Sequence, residues 1–140
     1  MKMLCLSTEL QEKIRRNCVN SYPYEACGLL MGGDDGAVTK IIASSNLADH
    51  PTKNFEINPA LILQYQKESR LGHDRILGHY HSHPDGQANP SARDQDNNHD
   101  TDLIWVIIQV TGGVALGMNA FATDPKSGQL TAIPLQAEKI

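Results

Sequence analysis

Apolar residues change their spacing several times along the chain, and each change marks a new element. Leu10, Ile14 and Cys18 recur at the period of a helix that Ser7 or Thr8 can cap. Pro23 disfavours helix at the residue before it, so this helix is expected to end near Ser21. The short apolar run 28–31, the turn-rich GGDDGA and the alternating VTKIIA at 38–43 predict a hairpin. KNFEI at 53–57 predicts a further extended piece after a polar loop. Asn58 followed by Pro59 is a helix start, with Leu61, Ile62, Tyr65 and Ser69 on its inner face.

The second half is written mostly in strands. RILGHYH at 75–81 predicts one, and DLIWVIIQV (102–110), GVALGMNAFAT (113–123) and QLTAIPLQA (129–137) predict three more, separated by Gly-Gly and Asp-Pro-Lys-Ser-Gly turns. The near-continuous apolar run 103–108 belongs in the middle of a sheet, buried on both faces. The expected fold is α+β: a curved, mainly antiparallel sheet flanked by two or three helices. With 140 residues, 40% of them apolar, one domain over residues 1–140 is expected.

Composition narrows the partners. The net charge is −4, and five aspartates lie between Asp85 and Asp102 against the single cation Arg93. A phosphate backbone is repelled by such a face, so nucleic acid is not an expected partner. No stretch approaches the ~20 apolar residues of a membrane span, and none is expected to enter a membrane. Cys5, Cys18 and Cys27 are odd in number and far apart in sequence, which suits reduced thiols in a cytoplasmic protein.

The candidate chemistry lies in GHYHSHP, residues 78–84. His79, His81 and His83 alternate, so on a strand all three point to one face. Such a pattern fits two imidazoles on one metal ion, and it equally fits ordinary polar strand residues. Downstream, Ser91-Ala92-Arg93-Asp94 after Pro90 is the signature of a capped helix start. A carboxylate in that first turn has a fixed direction and a favourable helix dipole. Two imidazoles and one carboxylate make a plausible zinc set with a position left for water. Hydrolysis also needs a proton carrier outside the ligands. Glu25 in YPYEACGLLMGG is the candidate, and a solvated strand-end glutamate is its other reading.

Glu25 before Cys-Gly-Leu-Leu, His81-Ser82-His83-Pro84, seven residues to Ser91 and two more to Asp94 together resemble the JAMM (MPN+) zinc metallopeptidase motif. The resemblance runs from the first helix to the last strand, in the short form of prokaryotic members. It implies a layering like that of cytidine deaminases. It also implies one Zn2+ per chain on His81, His83 and Asp94, with Glu25 as general base and Ser91 as hydrogen-bond donor to the oxyanion. His79 is then a packing residue or a support for the ligands rather than a ligand itself, and Ser82, on the opposite face, a structural one. The implied substrate is an amide at or after the C-terminal tail of a ubiquitin-fold (β-grasp) protein, such as a sulfur carrier ending in Gly-Gly. Main-chain pairing to a sheet edge would hold such a tail. KNFEI is the expected edge, with Asn54 and Phe55 beside the substrate.

Other readings compete with this one. MPN domains that serve only as scaffolds lack the ligands, which are all present here. Metallohydrolases of other kinds need further His or Asp ligands along the chain, and His50, His73 and His99 have no matching acidic signature. Cell-wall and phage-tail peptidases of related type usually carry a second domain. Cys27 is expected to be a small buried thiol, Trp105 a core residue, and Asp96, His99 and Asp100 part of a solvated acidic face.

Overall fold

The computed structural model describes residues 2–138. Three helices are seen among them: α1 (Thr8–Ser21), α2 (Pro59–Arg70) and α3 (Ala92–Asp96). The main sheet has six strands: β2 (Cys27–Gly32), β3 (Val38–Ser44), β4 (Arg75–Pro84), β5 (Ile104–Thr111), β6 (Val114–Thr123) and β7 (Leu130–Ile133). Their order is β3-β2-β4-β5-β6-β7, and every pairing is antiparallel except that of β4 with β5. β1 (Leu4–Cys5) pairs in parallel with β8 (Leu135–Gln136) in a separate two-stranded ribbon. The mixed α+β fold expected from the sequence is the one observed.

Local chemistry sets the boundaries. The Ser7 hydroxyl accepts from the Leu10 amide and the Asn58 side chain from the Ala60 amide, so both long helices begin where the capping residues stand. α1 packs Ile14 and Cys18 onto one face of the sheet, against Leu30, Tyr80, Val106 and Ile108. The other face carries Cys27, Leu29 and Met31 beneath Leu61, Ile62 and Tyr65 of α2, and Trp105, Ile107 and Phe121 further along. Each face contributes several buried apolar side chains at roughly 1.5–3 kcal/mol apiece, the main force holding the layers together.

Two expectations change. The segment 129–137 is not one strand: it breaks at Pro134, which has no N–H for a ladder, and its last residues pair with β1 instead. β1 itself is too short to show in the apolar pattern, yet Leu4 and Leu6 are fully buried. Likewise 53–57 is not a sheet strand. Ile57 alone makes an isolated bridge, to Asn46, and residues 51–53 are in turns. The edge of the sheet on this side is β3.

β4 and β5 approach closely at Gly78, where an added Cβ would collide with the backbone carbonyl of Ile104. Gly78→Ala is therefore expected to destabilise the fold by on the order of 3 kcal/mol. A urea midpoint well below that of the wild type is the check.

Candidate metal centre

β4 delivers the histidines. It is paired on both sides, and the pleat sends Tyr80 and Ser82 towards α1 while His79, His81 and His83 face the α2 side. Ser82 is fully buried, and its hydroxyl accepts from the Ala26 amide at 2.8 Å while its own amide donates to the Ala26 carbonyl. That exchange locks the residue after Glu25 to the strand between the two histidines.

The third donor comes from a helix start. Ser91 caps α3, its hydroxyl accepting from the Asp94 amide at 3.1 Å, and the Asp94 carboxylate accepts from the Ser91 amide at 2.9 Å. This reciprocal capping box directs the rest of the Asp94 carboxylate towards the histidines. Its Oδ2 lies 3.0 Å from His83 Nε2 and its Oδ1 3.3 Å from His81 Nε2. The two Nε2 atoms are themselves 3.0 Å apart.

The protons on these groups reveal what the cluster is suited to hold. His83 Nδ1 stands 2.7 Å from the Gln87 carbonyl, which can only accept, so Nδ1 carries a proton. In the neutral ring, His83 Nε2 then offers a lone pair to the Asp94 oxygen and to His81 Nε2. Lone pairs converging this closely repel unless a proton or a metal ion lies between them. Fixing the far nitrogen of a ligating imidazole on a backbone carbonyl is also how metal sites orient their histidines. Two imidazole nitrogens and one carboxylate oxygen, all within 4.8 Å of one another, fit a divalent metal.

The surroundings sharpen this electrostatics. Burial and the neighbouring imidazole of His83 pull His81 towards its neutral form, against the pull of Asp94. His83 is also drawn down by burial, yet its bonds to Asp94 and Gln87 win and hold it above the ordinary range. Burial alone would raise Asp94; hydrogen bonds from both histidines instead hold it well below the usual carboxylate range. Glu25 is only 6% exposed, and burial, reinforced by Asp94 and opposed by His83 and Arg93, pushes its carboxyl up to about 7. A carboxyl poised near neutrality can both accept and release a proton at working pH.

Phe55 covers the centre. Its ring stacks on His81 with centroids 4.2 Å apart and meets the edge of Trp105 at 6.0 Å. Asn54 accepts a hydrogen bond from Arg93, the neighbour of Asp94. Both residues therefore lie at the centre, although not on a sheet edge. The reason is that Asn46 uses the backbone groups such an edge would offer, bonding the Asn54 carbonyl and the Glu56 amide. His79 lies outside the donor group, 4.5 Å from Trp105 in an aromatic cluster. Cys27, buried behind Glu25, has a thiol raised to about 12, which keeps it protonated. Asn46, Gln87 and Arg93 were not singled out from the sequence. Each acts through a backbone group or a long-range partner, which residue spacing does not display.

The metal-free protein allows the Glu25 environment to be checked. Folded Glu25 keeps its proton up to about pH 7, whereas the unfolded chain releases it near the ordinary 4.5. Between those values the folded state binds more protons, so this contribution to stability is full in acid and is lost as pH rises. Glu25→Gln removes the loss. Its stability relative to the wild type is expected to rise by on the order of 2 kcal/mol from pH 4 to pH 8, measured by urea unfolding of both proteins in chelator.

Comparison with known proteins places the chain in a wider group. Residues 7–123 match the family described as prokaryotic homologs of the JAB domain. A desampylase of Haloferax volcanii is 28% identical over 114 residues, covering 78% of this chain and 82% of that protein. The solution structure of a protein from Desulfitobacterium hafniense has a TM-score of 0.82 at 26% identity, covering 99% of this chain and 94% of that one. A JAB1/MPN domain protein from Archaeoglobus fulgidus shares the fold at 15% identity, with a TM-score of 0.60 over 96% of this chain and 99% of that one. The match over most of its length makes this chain a member of the prokaryotic JAB-domain, or JAMM/MPN, family.

Proposed function

We propose that this chain is a zinc-dependent isopeptidase or peptidase, acting as one domain. It would hydrolyse an amide at or after the C-terminal tail of a ubiquitin-fold protein. One zinc ion per chain would be held by His81, His83 and Asp94. The observation that carries the reading is the convergence of His81 Nε2, His83 Nε2 and the Asp94 carboxylate within 3.3 Å of one another, beside a buried glutamate. The desampylase likeness supports a modifier protein as the substrate.

Bound zinc supplies a Lewis acid for a carbonyl and brings the pKa of a water towards neutrality. The chain's own groups do the rest. The Glu25 carboxylate accepts the proton of the attacking water and returns it to the leaving amine, a role suited to a carboxyl held near pH 7. Ser91 Oγ accepts from the Asp94 amide, which leaves its own proton free to donate to the carbonyl oxygen as charge develops there. Phe55 shields one face of His81 from water. A groove of about 620 Å³ runs past Phe55, Ile57, His79 and Trp105, and its apolar wall suits the stem of a tail ending in glycines. Asn54 and Phe55 would flank that tail.

Elemental analysis of protein purified without chelator is expected to give near one zinc per chain, and almost none in His83→Ala. With a ubiquitin-fold substrate extended beyond its Gly-Gly, Glu25→Gln should keep the metal and lose activity by about 1,000-fold. Ser91→Ala should cost about 100-fold, mostly in kcat. A folded wild type without zinc would return the chain to the scaffold class, and full activity in Glu25→Gln would remove Glu25 from the mechanism.

A further inference from the structure

Within the connection from β3 to α2, residues 46–57 form a loop closed at its neck, where Asn46 bridges Ile57 and the Leu47 amide donates to the Glu56 carbonyl at 2.9 Å. The Asn46 side chain fills the loop from within. Its Nδ2 donates to the carbonyls of Asn54 at 2.8 Å and Glu25 at 3.0 Å, with that of Pro51 at 3.5 Å. Its Oδ1 accepts from the amides of Ala48 and Glu56, both at 3.0 Å. A carboxamide has two N–H donors and an oxygen with two lone pairs, so this one is used in full. It is also used in one orientation only, because the nitrogen faces carbonyls and the oxygen faces amides.

The bonds join parts that are distant in sequence. The Glu25 carbonyl is held by Asn46, and the Glu25 amide donates to the Pro51 carbonyl at 2.7 Å, so both backbone groups of this residue are tied to the loop. The same loop carries Phe55 over His81 and Asn54 against Arg93. Glu25, the histidine strand and the start of α3 thus meet through one segment whose shape depends on one amide.

We propose that Asn46 is a positioning residue, holding Glu25 and the Phe55-bearing loop in register with the His81–His83–Asp94 group. Asn46 acts through the Glu25 backbone and the loop. Aspartate there keeps the two acceptor contacts but turns the donors into a charged oxygen facing carbonyls. Glutamine adds a methylene, which carries the amide out of register with these backbone partners. The catalytic consequence rests on the peptidase reading; the effect on the loop does not.

Asn46→Asp tests both, with Glu25→Gln and the wild type beside it. Trp105 is the chain's one tryptophan, 2% exposed and shielded by Phe55, so its fluorescence reports the loop without any need for activity. Acrylamide quenching of Trp105 is expected roughly to double as the loop opens. In the zinc-loaded protein kcat is expected to fall about 10- to 100-fold, as for a misplaced catalytic group. Zinc per chain should stay as in the wild type, while KM is expected to rise, because the opened loop also carries Asn54 and Phe55 beside the groove. A role in stability alone would lower the melting temperature and leave kcat of the folded protein unchanged.

Wild-type quenching in a folded Asn46→Asp protein overturns the proposal. Greater quenching with wild-type kcat overturns the link from loop to Glu25. If the wild type cleaves nothing but quenching still rises, the peptidase reading falls and the anchoring of the loop stands. Asn46→Ser, which keeps one donor and no added charge, is the milder variant and should show the same changes in smaller measure. Failure of both variants to fold even in the cold would make Asn46 a residue of folding rather than of position, and the proposal would fall.

Discussion

β4 is hydrogen-bonded along both edges, antiparallel to β2 and parallel to β5. With ladders on both sides the strand cannot slip by one residue without carrying every side chain to the wrong face. Slippage would bury His81 and His83 against α1 and turn Tyr80 towards α2. The cost of that exchange is the loss of the Tyr80 packing and of the Ser82–Ala26 bonds. The stability of the sheet therefore enforces the direction of two imidazoles, and the loops around them are built to meet that direction.

Those loops are closed by polar side chains rather than by apolar burial. Asp85 has a positive φ of 58°, and its carboxylate accepts from Tyr22 at 2.7 Å and from the Gly112 amide at 2.8 Å. It ties the turn after His83 to the segment leading into Glu25, opposite the side that Asn46 ties. The hydrogen bonds of these exposed and half-exposed groups contribute about 1 kcal/mol each, little against the sheet. Their value lies in geometry, since together they hold the Glu25 carboxyl beside the His81–His83–Asp94 group, although these come from separate elements.

Much of this was legible in the residues, for reasons that differ by element. The long helices announce themselves through Ser7, Asn58 and Pro59, because a cap is a local bond between near neighbours. β5 is readable because a strand buried on both faces must be apolar throughout. His81, His83 and Asp94 are readable because a strand and a helix start each carry a fixed spacing. What escaped depends on partners far along the chain. β1 exists only because β8 lies beside it, and Pro134 divides a run that looks continuous as text. The sheet-edge reading of 53–57 failed because one amide, eight residues before Asn54, absorbs the backbone bonds of that segment.

α3 has five residues, too few for a helix to persist in water by its own propensity. The capping box sets its first turn, and one of the two side chains in that box is Asp94. The oxygen that accepts the Ser91 amide is also the one facing His83. Shape and chemistry are thus written into the same carboxylate. Asp94→Ala would remove a candidate metal donor and half of the capping box together. The fold of the segment from Pro90 to Asn97 and the geometry of the centre therefore rest on one shared side chain.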